Sequence, residues 1–551
     1  MTVVAVDDTD SRTQGMCTTY LAAVVAAELT AAGHTVERRL LVRLHPAVEH
    51  KTRGNAAVAV HTDAPPAVAR ETAVRLVEEY AVVDDDRTSP GVVVAPGEDA
   101  HAGESDDGVR ADETTESVDG TTESADGSTE PVDSIPEPVV SFARDAVRGH
   151  CSLDRALTVA ETAGYETVGW GRAPAGRGRI GALAAVGAWA AFDDWTYERI
   201  AYREFARCGT ERDVDEASVF AAATDAYPAA WDTVDRVEGE AVCVPNAPGP
   251  ILYGIRGDDP AATATVADRI ESEPVERRAL FVTNQGTDAH LRRGTLCDSA
   301  GDHRMSTDTT DATDATDATD AMDTTDTTDT TDATDTTDAT DTTDRPHRER
   351  ARSTNRRETE RDESTGGREA AHDEPPEPVR DGRAYRVDGV VASDPETRAG
   401  GHVFFALAPP SERSSESDCH SAEGRTVDCV AFEPTKRFRD HVRALRAGDE
   451  LTVCGEFTDG TLKLEKFAVR RLDCTALVVP NCPDCGRSME SAGRGQGYRC
   501  RDCSTSTDGR VETEIDRELE RGWYEVPPCA RRHVAKPLVR GGFDAPTHPE
   551  W

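Results

Sequence analysis

The segment TVVAVDDTDS (residues 2–11) runs into GMCTTYL (residues 15–21), and the fold class turns on this passage. Small and β-branched apolar residues up to Val6 make a buried strand, and three carboxylates, Asp7, Asp8 and Asp10, crowd its end. A helix-like apolar run opens at Thr18 and lasts to about residue 32. A strand that delivers carboxylates to a loop ahead of a helix N-terminus belongs to an α/β arrangement. Hard oxygen ligands at such a strand end suit Mg²⁺ when it also holds nucleotide phosphates. The amides opening the helix suit an anion. Asp and Thr are also ordinary turn and cap residues, so a plain turn explains the same letters.

Outward from this passage, further strand-like runs fall at residues 56–60, 241–244 and 279–282, and a second helix-like run at 68–80. Together they predict an α/β or α+β region spanning 1–97 and 139–296. Within it lies GRGRIGALAAVG (residues 176–187). Gly176, Gly178 and Gly181 let backbone approach a phosphate, Arg177 and Arg179 add positive charge, and an apolar helix follows Ile180. The pattern is neither a Walker A loop nor a dinucleotide fingerprint, and tight helix packing would demand the same glycines. KTRGN (residues 51–55) places Lys51 and Arg53 in a polar loop that either touches phosphate or is simply solvated.

Between residues 378 and 476 the runs YRVDGVVAS, GHVFFALA, TVDCVAFEP, ELTVCGEF and LKLEKFAVRRL alternate in the manner of strands. FRDHVRALRAG, between the third and fourth, predicts one helix. That order is the order of an OB-fold, a small barrel that commonly binds nucleic acid, although other small barrels remain compatible. From 477 to 551 the decisive spacing is CPDCG followed by CRDC. Cys482, Cys485, Cys500 and Cys503 form two close pairs suited to tetrahedral Zn²⁺, and Gly486 supplies the positive φ that a metal knuckle needs. With four protein ligands the metal is structural.

The formal charge of −42 argues, on its face, against a polyanionic partner. Two stretches carry much of it. Residues 97–138 hold 14 acidic side chains against one Arg, and residues 308–344 hold 13 Asp spaced every third position. Without them the chain still carries roughly −16, and only five of its 62 basic residues are Lys. Such a surface suits molar salt, where charge is screened within ~3 Å, so net charge describes the solvent more than the partner. Segments 98–138 and 297–377 are too polar to bury a core and are expected to be disordered inserts. The fourteen Cys are scattered, unlike the dense framework of a small secreted domain. The N-terminus lacks a signal-like apolar core, and the longest apolar run, at 182–192, is too short to span a bilayer. A cytoplasmic protein with no membrane partner is expected.

Taken together, DDTDS with GMCTTYL, HKTRGN, GRGRIGALAAVG, LYGIRG, FVTNQGTDAHL, AFEPTKRFR and ESAGRGQGYRC closely resemble the archaeal tRNA 2-agmatinylcytidine synthetase family, TiaS, of haloarchaeal type. The resemblance implies an α+β multidomain chain. Its parts are a kinase-like domain at 1–97, a ferredoxin-like domain with the remainder of the catalytic region at 139–296, an OB-fold at 378–476, and a zinc ribbon with a C-terminal segment at 477–551. It further implies a ligase using ATP, Mg²⁺ and Zn²⁺, with agmatine and an isoleucine tRNA, anticodon and body, as partners and no DNA. In that family ATP phosphorylates the carbon-2 carbonyl of the wobble cytosine, agmatine displaces the phosphate, and ATP ends as AMP and phosphate. The family's metal-binding carboxylates fall on Asp7, Asp8 and Asp10, and its autophosphorylated threonine on Thr18. The segment DDDRTSPG (84–91) departs from the family, carrying Arg87 where Lys is usual, which changes the geometry of any phosphate contact there. The rival function is a non-catalytic single-strand nucleic-acid-binding protein with an OB-fold and zinc ribbon. Such a protein needs stacking aromatics, and aromatics are 5% of this chain.

Overall fold

The computed structural model describes residues 1–46, 48, 54–97, 135–172, 175–297, 375–410 and 426–551. Most of the two acidic inserts, together with Lys51 and Arg53, lies outside the described residues.

The N-terminal half is built on one nine-stranded sheet. Its elements are β1 (Thr2–Asp7), α1 (Thr18–Ala31), β2 (Val36–Arg43), β3 (Ala56–Thr62), α2 (Pro66–Tyr80), β4 (Gly91–Ala95), α3 (Glu137–Arg148), α4 (Leu153–Thr162), β5 (Glu166–Gly169), α5 (Arg179–Ala191), β6 (Thr196–Arg203), α6 (Glu216–Ala226), β7 (Ala230–Trp231), β8 (Ile251–Gly257), α7 (Pro260–Arg269) and β9 (Val275–Thr283). The strand order is β5-β4-β1-β3-β2-β9-β6-β8-β7. Every pairing is antiparallel except β2 with β9, where the two parts of the sheet are joined. From β6 to β9 the succession is β-α-β-β-α-β with order β9-β6-β8-β7, the ferredoxin-like arrangement.

Alternation along the strands decides which helices cover which face. Val4, Val6, Leu41, Val58 and Val60 pack under α1 and α2. Val3, Ala5, Leu40, Val42 and Ala57 pack under α3, α4 and α5. Both faces are covered, so β1 is apolar from Val3 to Val6, the pattern of a doubly buried strand. A third cluster, with Val219, Leu252, Tyr253 and Val266, sits beneath α6 and α7. The run at 241–244 is not a strand. Its backbone turns, with the Val244 amide bonded to the Ala241 carbonyl, and Cys243 is buried against this third cluster from a loop. The segment is laid against β8, whose Gly254 amide bonds the Cys243 carbonyl at 2.9 Å, but its turns do not extend that contact into a ladder.

After β10 (Leu291–Thr295) and β11 (Glu377–Pro378) come β12 (Arg383–Val391), β13 (Glu396–Thr397), β14 (Val403–Ala408), β15 (Val427–Ala431), α8 (Phe438–Arg443), β16 (Glu450–Thr458) and β17 (Thr461–Arg471). The pairings β12·β14, β14·β15, β15·β17, β17·β16 and β16·β12 close a five-stranded barrel, with only β15·β17 parallel. The helix lies between the third and fourth barrel strands, as the OB-fold order requires. Its core holds Tyr385, Phe405, Phe438, Phe457 and Phe467, all buried. β10 extends this sheet by pairing parallel with β12, so the chain leaving the N-terminal half is stitched to the barrel.

Buried ion pairs reinforce that junction. Lys466 of the barrel bonds both carboxylate oxygens of Asp288 at 2.8 Å. His290 meets Glu465 at 3.0 Å, and Arg532 reaches Glu465 at 3.0 Å. Burial works against the Glu465 carboxylate, yet His290 and Arg532 hold its pKa down to about 2. No helix among the described residues is long and apolar enough to cross a membrane.

Candidate active site

Asp7 ends β1 on the α5 side of the sheet, and Asp8 leaves the strand with φ 59, a left-handed conformation that Asp tolerates better than most residues. This turn brings the Asp8 amide onto Asp7 Oδ1 at 2.7 Å. The glycine loop packs directly against it. A Cβ at Gly181 would stand 1.9 Å from Asp7 Oδ2, and one at Gly178 2.5 Å from the Asp7 carbonyl. Both glycines are therefore required by close approach, as in the packing explanation, and the partner they approach is the carboxylate strand end.

Arg177 reaches over the turn, donating to Asp8 Oδ2 at 2.8 Å and to the Arg87 carbonyl at 2.6 Å. Its own amide donates to Ser89 Oγ at 3.0 Å, and the Gly178 amide to the Ser89 carbonyl at 2.8 Å. Thr88 Oγ1 donates to the Asp10 carbonyl at 2.7 Å. The DDDRTSPG segment thus braces both the carboxylate loop and the glycine loop, with the Arg87 backbone taking part. Arg179 does not join them. Its guanidinium turns back to the carbonyls of Gly176 and Ala175 at 2.9 and 2.8 Å, closing its own loop.

Asp7, Asp8, Asn55, His150, Arg177 and Gly181 are among the residues lining a cavity of about 190 Å³. Burial, and next the charge of Asp8, push the Asp7 carboxyl well above its ordinary range. Burial raises Asp8 to about 6; Arg177 lowers it, but Asp10 adds repulsion. Asp7 and Asp8 line this cavity as hard oxygen donors of the kind Mg²⁺ takes, whereas Asp10 is not among its lining residues. Among the described residues only the four cysteines below gather three or more ligand atoms within 4.8 Å of one another.

Thr18 is not among the residues lining this cavity. It is buried at the start of α1, its hydroxyl 3.0 Å from that of Thr9. Asn55 closes the KTRGN stretch and Ser89 lies within DDDRTSPG, whereas no motif or spacing in the sequence marks His150 or Cys151.

At the other end of the chain, one ligand atom from each of Cys482, Cys485, Cys500 and Cys503 lies within 4.8 Å of the others. Each pair sits on a matching turn. The Gly486 amide bonds the Cys482 carbonyl at 2.8 Å and the Ser504 amide bonds the Cys500 carbonyl at 3.1 Å, with φ 72 at Gly486 and 58 at Ser504. Four sulfurs so gathered fit tetrahedral Zn²⁺.

Over its full length the chain is 46% identical to the isoleucine-tRNA 2-agmatinylcytidine synthetase TiaS of Haloquadratum walsbyi, with 100% of both chains covered. The chain belongs to the TiaS family. The TiaS TCKD domain matches residues 3–172, the TiaS FLD domain 176–290 and the TiaS C-terminal zinc ribbon domain 479–519. TiaS of Methanosarcina mazei is 36% identical over 98% of this chain and 97% of its own. Among solved structures, that of TiaS in complex with its isoleucine tRNA and ATP superposes with a TM-score of 0.68 at 30% identity, covering 100% of this chain and 99% of that one. The complex of TiaS with the same tRNA, AMPCPP and agmatine gives 0.66 at 30% identity with the same coverage.

Proposed function

We propose that this protein is an ATP-dependent ligase that joins agmatine to carbon 2 of the wobble cytidine of the isoleucine tRNA that TiaS proteins modify, through a cytosine phosphorylated on its carbonyl oxygen. The observation that carries this reading is the convergence of Asp7, Asp8 and Arg177 on one cavity, in a chain related along its whole length to TiaS proteins. A cytosine carbonyl is a poor electrophile, and converting its oxygen into a phosphoryl leaving group opens carbon 2 to the primary amine of agmatine.

Asp7, Asp8 and Asp10 would hold Mg²⁺, which when bound neutralises charge on the nucleotide phosphates. Arg177 orients Asp8 and presents positive charge at the cavity rim. Gly178 and Gly181 keep side chains out of the space between the glycine loop and the strand end. Thr18 is assigned as the phosphorylated threonine, and Lys51 and Arg53 as phosphate contacts. The cysteine-bound Zn²⁺ holds a ribbon that, with the barrel, grips the tRNA. Tyr385, Phe405, Phe438, Phe457 and Phe467 of the barrel are core residues, and the half-buried Phe404 and Phe432 are engaged by Arg398 and His402, so these rings do not form the open stacking surface expected of a general single-strand binder.

Incubation of the protein with ATP, Mg²⁺, agmatine and the unmodified isoleucine tRNA at molar salt, followed by nucleoside mass analysis, tests the assignment. Conversion of one cytidine to its agmatine adduct, dependent on all substrates, is the expected result. Tight tRNA binding without any such product in the presence of all substrates would favour the binding-protein reading.

A further inference from the structure

The two parts of the nine-stranded sheet meet along a short seam. β2 and β9 pair in parallel at two positions, Leu40 with Val282 and Leu41 with Thr283. Beyond them the ladder stops and a side chain continues it. Asn284 Oδ1 accepts the Arg43 amide at 2.7 Å, and Asn284 Nδ2 donates to the Arg43 carbonyl at 3.0 Å. A carboxamide that offers one acceptor and one donor in this way takes the place of a peptide group on a neighbouring strand. Asn284 is fully buried, so both bonds are made away from water, where their loss is most costly.

The strand tail held in this way is a wall of the Asp7–Arg177 cavity. Directly after Arg43, the Leu44 amide donates to the Asn55 carbonyl at 2.9 Å and the Asn55 side chain donates to the His45 carbonyl at 2.9 Å. The His45 amide donates to the Ala146 carbonyl, in α3, at 3.0 Å. Leu44, Asn55 and Ala146 all line the cavity. The Leu44 side chain would stand 2.8 Å from a Cβ on Gly181, the glycine packed against Asp7. Residues 43–45 are thus clamped between Asn284 on one side and Asn55 with α3 on the other.

Asn284 is in turn fixed from the barrel side. The Gly286 amide donates to the His533 carbonyl at 2.8 Å, and the Asp288 amide to the Val534 carbonyl at 3.0 Å. Arg540 donates to the Gly286 carbonyl, and Thr287 Oγ1 closes the loop on the Asn284 carbonyl at 2.8 Å. Segment 531–540, which makes these contacts, is itself anchored in the barrel: Arg532 pairs with Glu456 at 2.6 Å and with Glu465 at 3.0 Å. The line of bonded groups from barrel to cavity wall therefore has the Asn284 carboxamide as its last link.

We propose that Asn284 is a positioning residue for the reaction, holding the end of β2 so that Leu44 and Asn55 frame the cavity and tying that frame to the barrel. This role rests on the function proposed above for the cavity. Asn284 is not among the cavity-lining residues, and it acts through Arg43 and Leu44. A misplacement of about 1 Å in such a frame costs roughly a hundredfold in rate.

Asn284→Ala, Asn284→Asp and Val266→Ala are compared with wild type, each as the complete zinc-loaded chain at molar salt. Asn284→Asp keeps the size of the side chain but, when ionised, has no donor for the Arg43 carbonyl. Val266→Ala opens a cavity where α7 packs on its sheet, in the same half of the chain, and controls for lost stability alone. Agmatine transfer is measured at saturating substrates, and binding of a non-hydrolysable ATP analogue with Mg²⁺ is measured by calorimetry. Both Asn284 variants are expected to lose about tenfold or more in kcat and about fivefold in analogue affinity, with tRNA affinity held within about twofold. Val266→Ala should unfold at a lower temperature yet keep kcat and analogue affinity near wild type.

A loss in kcat or analogue affinity that exceeds the control's supports the positioning role, and Asn284→Asp alone decides if the alanine variant does not fold. Asn284 variants that match Val266→Ala in both readouts, or a wild type that does not bind the analogue, overturn it. If wild type binds the analogue and transfers no agmatine, the proposed function fails, and analogue affinity alone then decides the role of Asn284.

Discussion

Asp8 and Arg177 meet across 169 positions of sequence, whereas Cys485 and Cys500, with sulfurs 3.6 Å apart, are separated by 15. The first contact exists only when β1, the 85–91 segment and the glycine loop are all in place. The second needs two short turns and a metal. The difference is one of cooperativity. The carboxylate edge is part of a sheet covered on both faces and shares its stability, while the ribbon has a core of Cys482, Met489 and Cys500 with little else buried, so its folding rests on metal binding. The two regions should therefore fail separately.

The largest effect is expected from Asp8→Ala or Asp10→Ala. Each removes a carboxylate from the set assigned to Mg²⁺, and agmatine transfer should fall by roughly 10³-fold or more. Affinity for tRNA should stay within about twofold, since these side chains do not face the barrel or ribbon. Nucleoside mass analysis and filter binding on the same preparation read both. Normal turnover in both variants would remove the carboxylates from the active site.

Cys500→Ser probes the other region. Zinc content should drop below one equivalent, and tRNA binding should weaken by roughly tenfold as the ribbon loses its fold. ATP turnover without tRNA should change little. Full zinc content with unchanged tRNA affinity would show that the four cysteines do not hold an RNA-binding module together. Loss of basal ATP turnover would break the separation of the two regions.

Arg177→Lys sharpens the first region further. Arg177 serves Asp8 and the Arg87 carbonyl through one nitrogen, Nη2, whose two hydrogens the planar guanidinium fixes in direction, whereas a lysine ammonium is a point charge on a shorter, more flexible stem. A fall of roughly 10- to 100-fold in kcat, with tRNA affinity retained, is expected. An unchanged kcat would reduce Arg177 to a structural brace.

The same contrast of locality decides what was legible in the sequence. The zinc knuckles are written in a four-residue spacing repeated once, and the closed barrel in five alternating runs with a helix between the third and fourth. β1 and α1 were visible because apolar periodicity ends at Asp7 and resumes beyond Thr18. His150 carries no local signal, and the stretches holding Ser89 and Asn55 do not say which of their residues faces the cavity, because those roles arise from strands and loops that meet only in the folded sheet. Arg177 and Arg179 look equivalent two positions apart, yet one reaches Asp8 and the other folds back on Ala175 and Gly176. The 241–244 run shows the converse error, in which burial in a loop mimics the alternation of a strand.

The smallest and most discriminating effect is on stability. Burial holds Asp8 at about 6 in the folded protein, against ~3.9 in an unfolded chain. Between those values the folded state binds more protons than the unfolded one, so without a cation stability falls as pH rises from about 4 to about 6 and stays lower above it. Two pKa units correspond to about 3 kcal/mol, reduced in practice because the carboxylate is not fully enclosed. Asp8→Asn keeps the size and tolerates the left-handed backbone at φ 59, but carries no charge to desolvate. In magnesium-free buffer it should match wild type near pH 4 and exceed it by about 1–2 kcal/mol at pH 8, after allowing for the lost contact to Arg177. Added Mg²⁺ should reverse the order at pH 8, because only wild type gains from binding. Denaturant melts at both pH values, with and without Mg²⁺, decide the matter. A variant less stable than wild type at pH 8 in the absence of cation would mean that Arg177 already satisfies Asp8, and that the strand end is a closed ion pair with no vacancy for a metal.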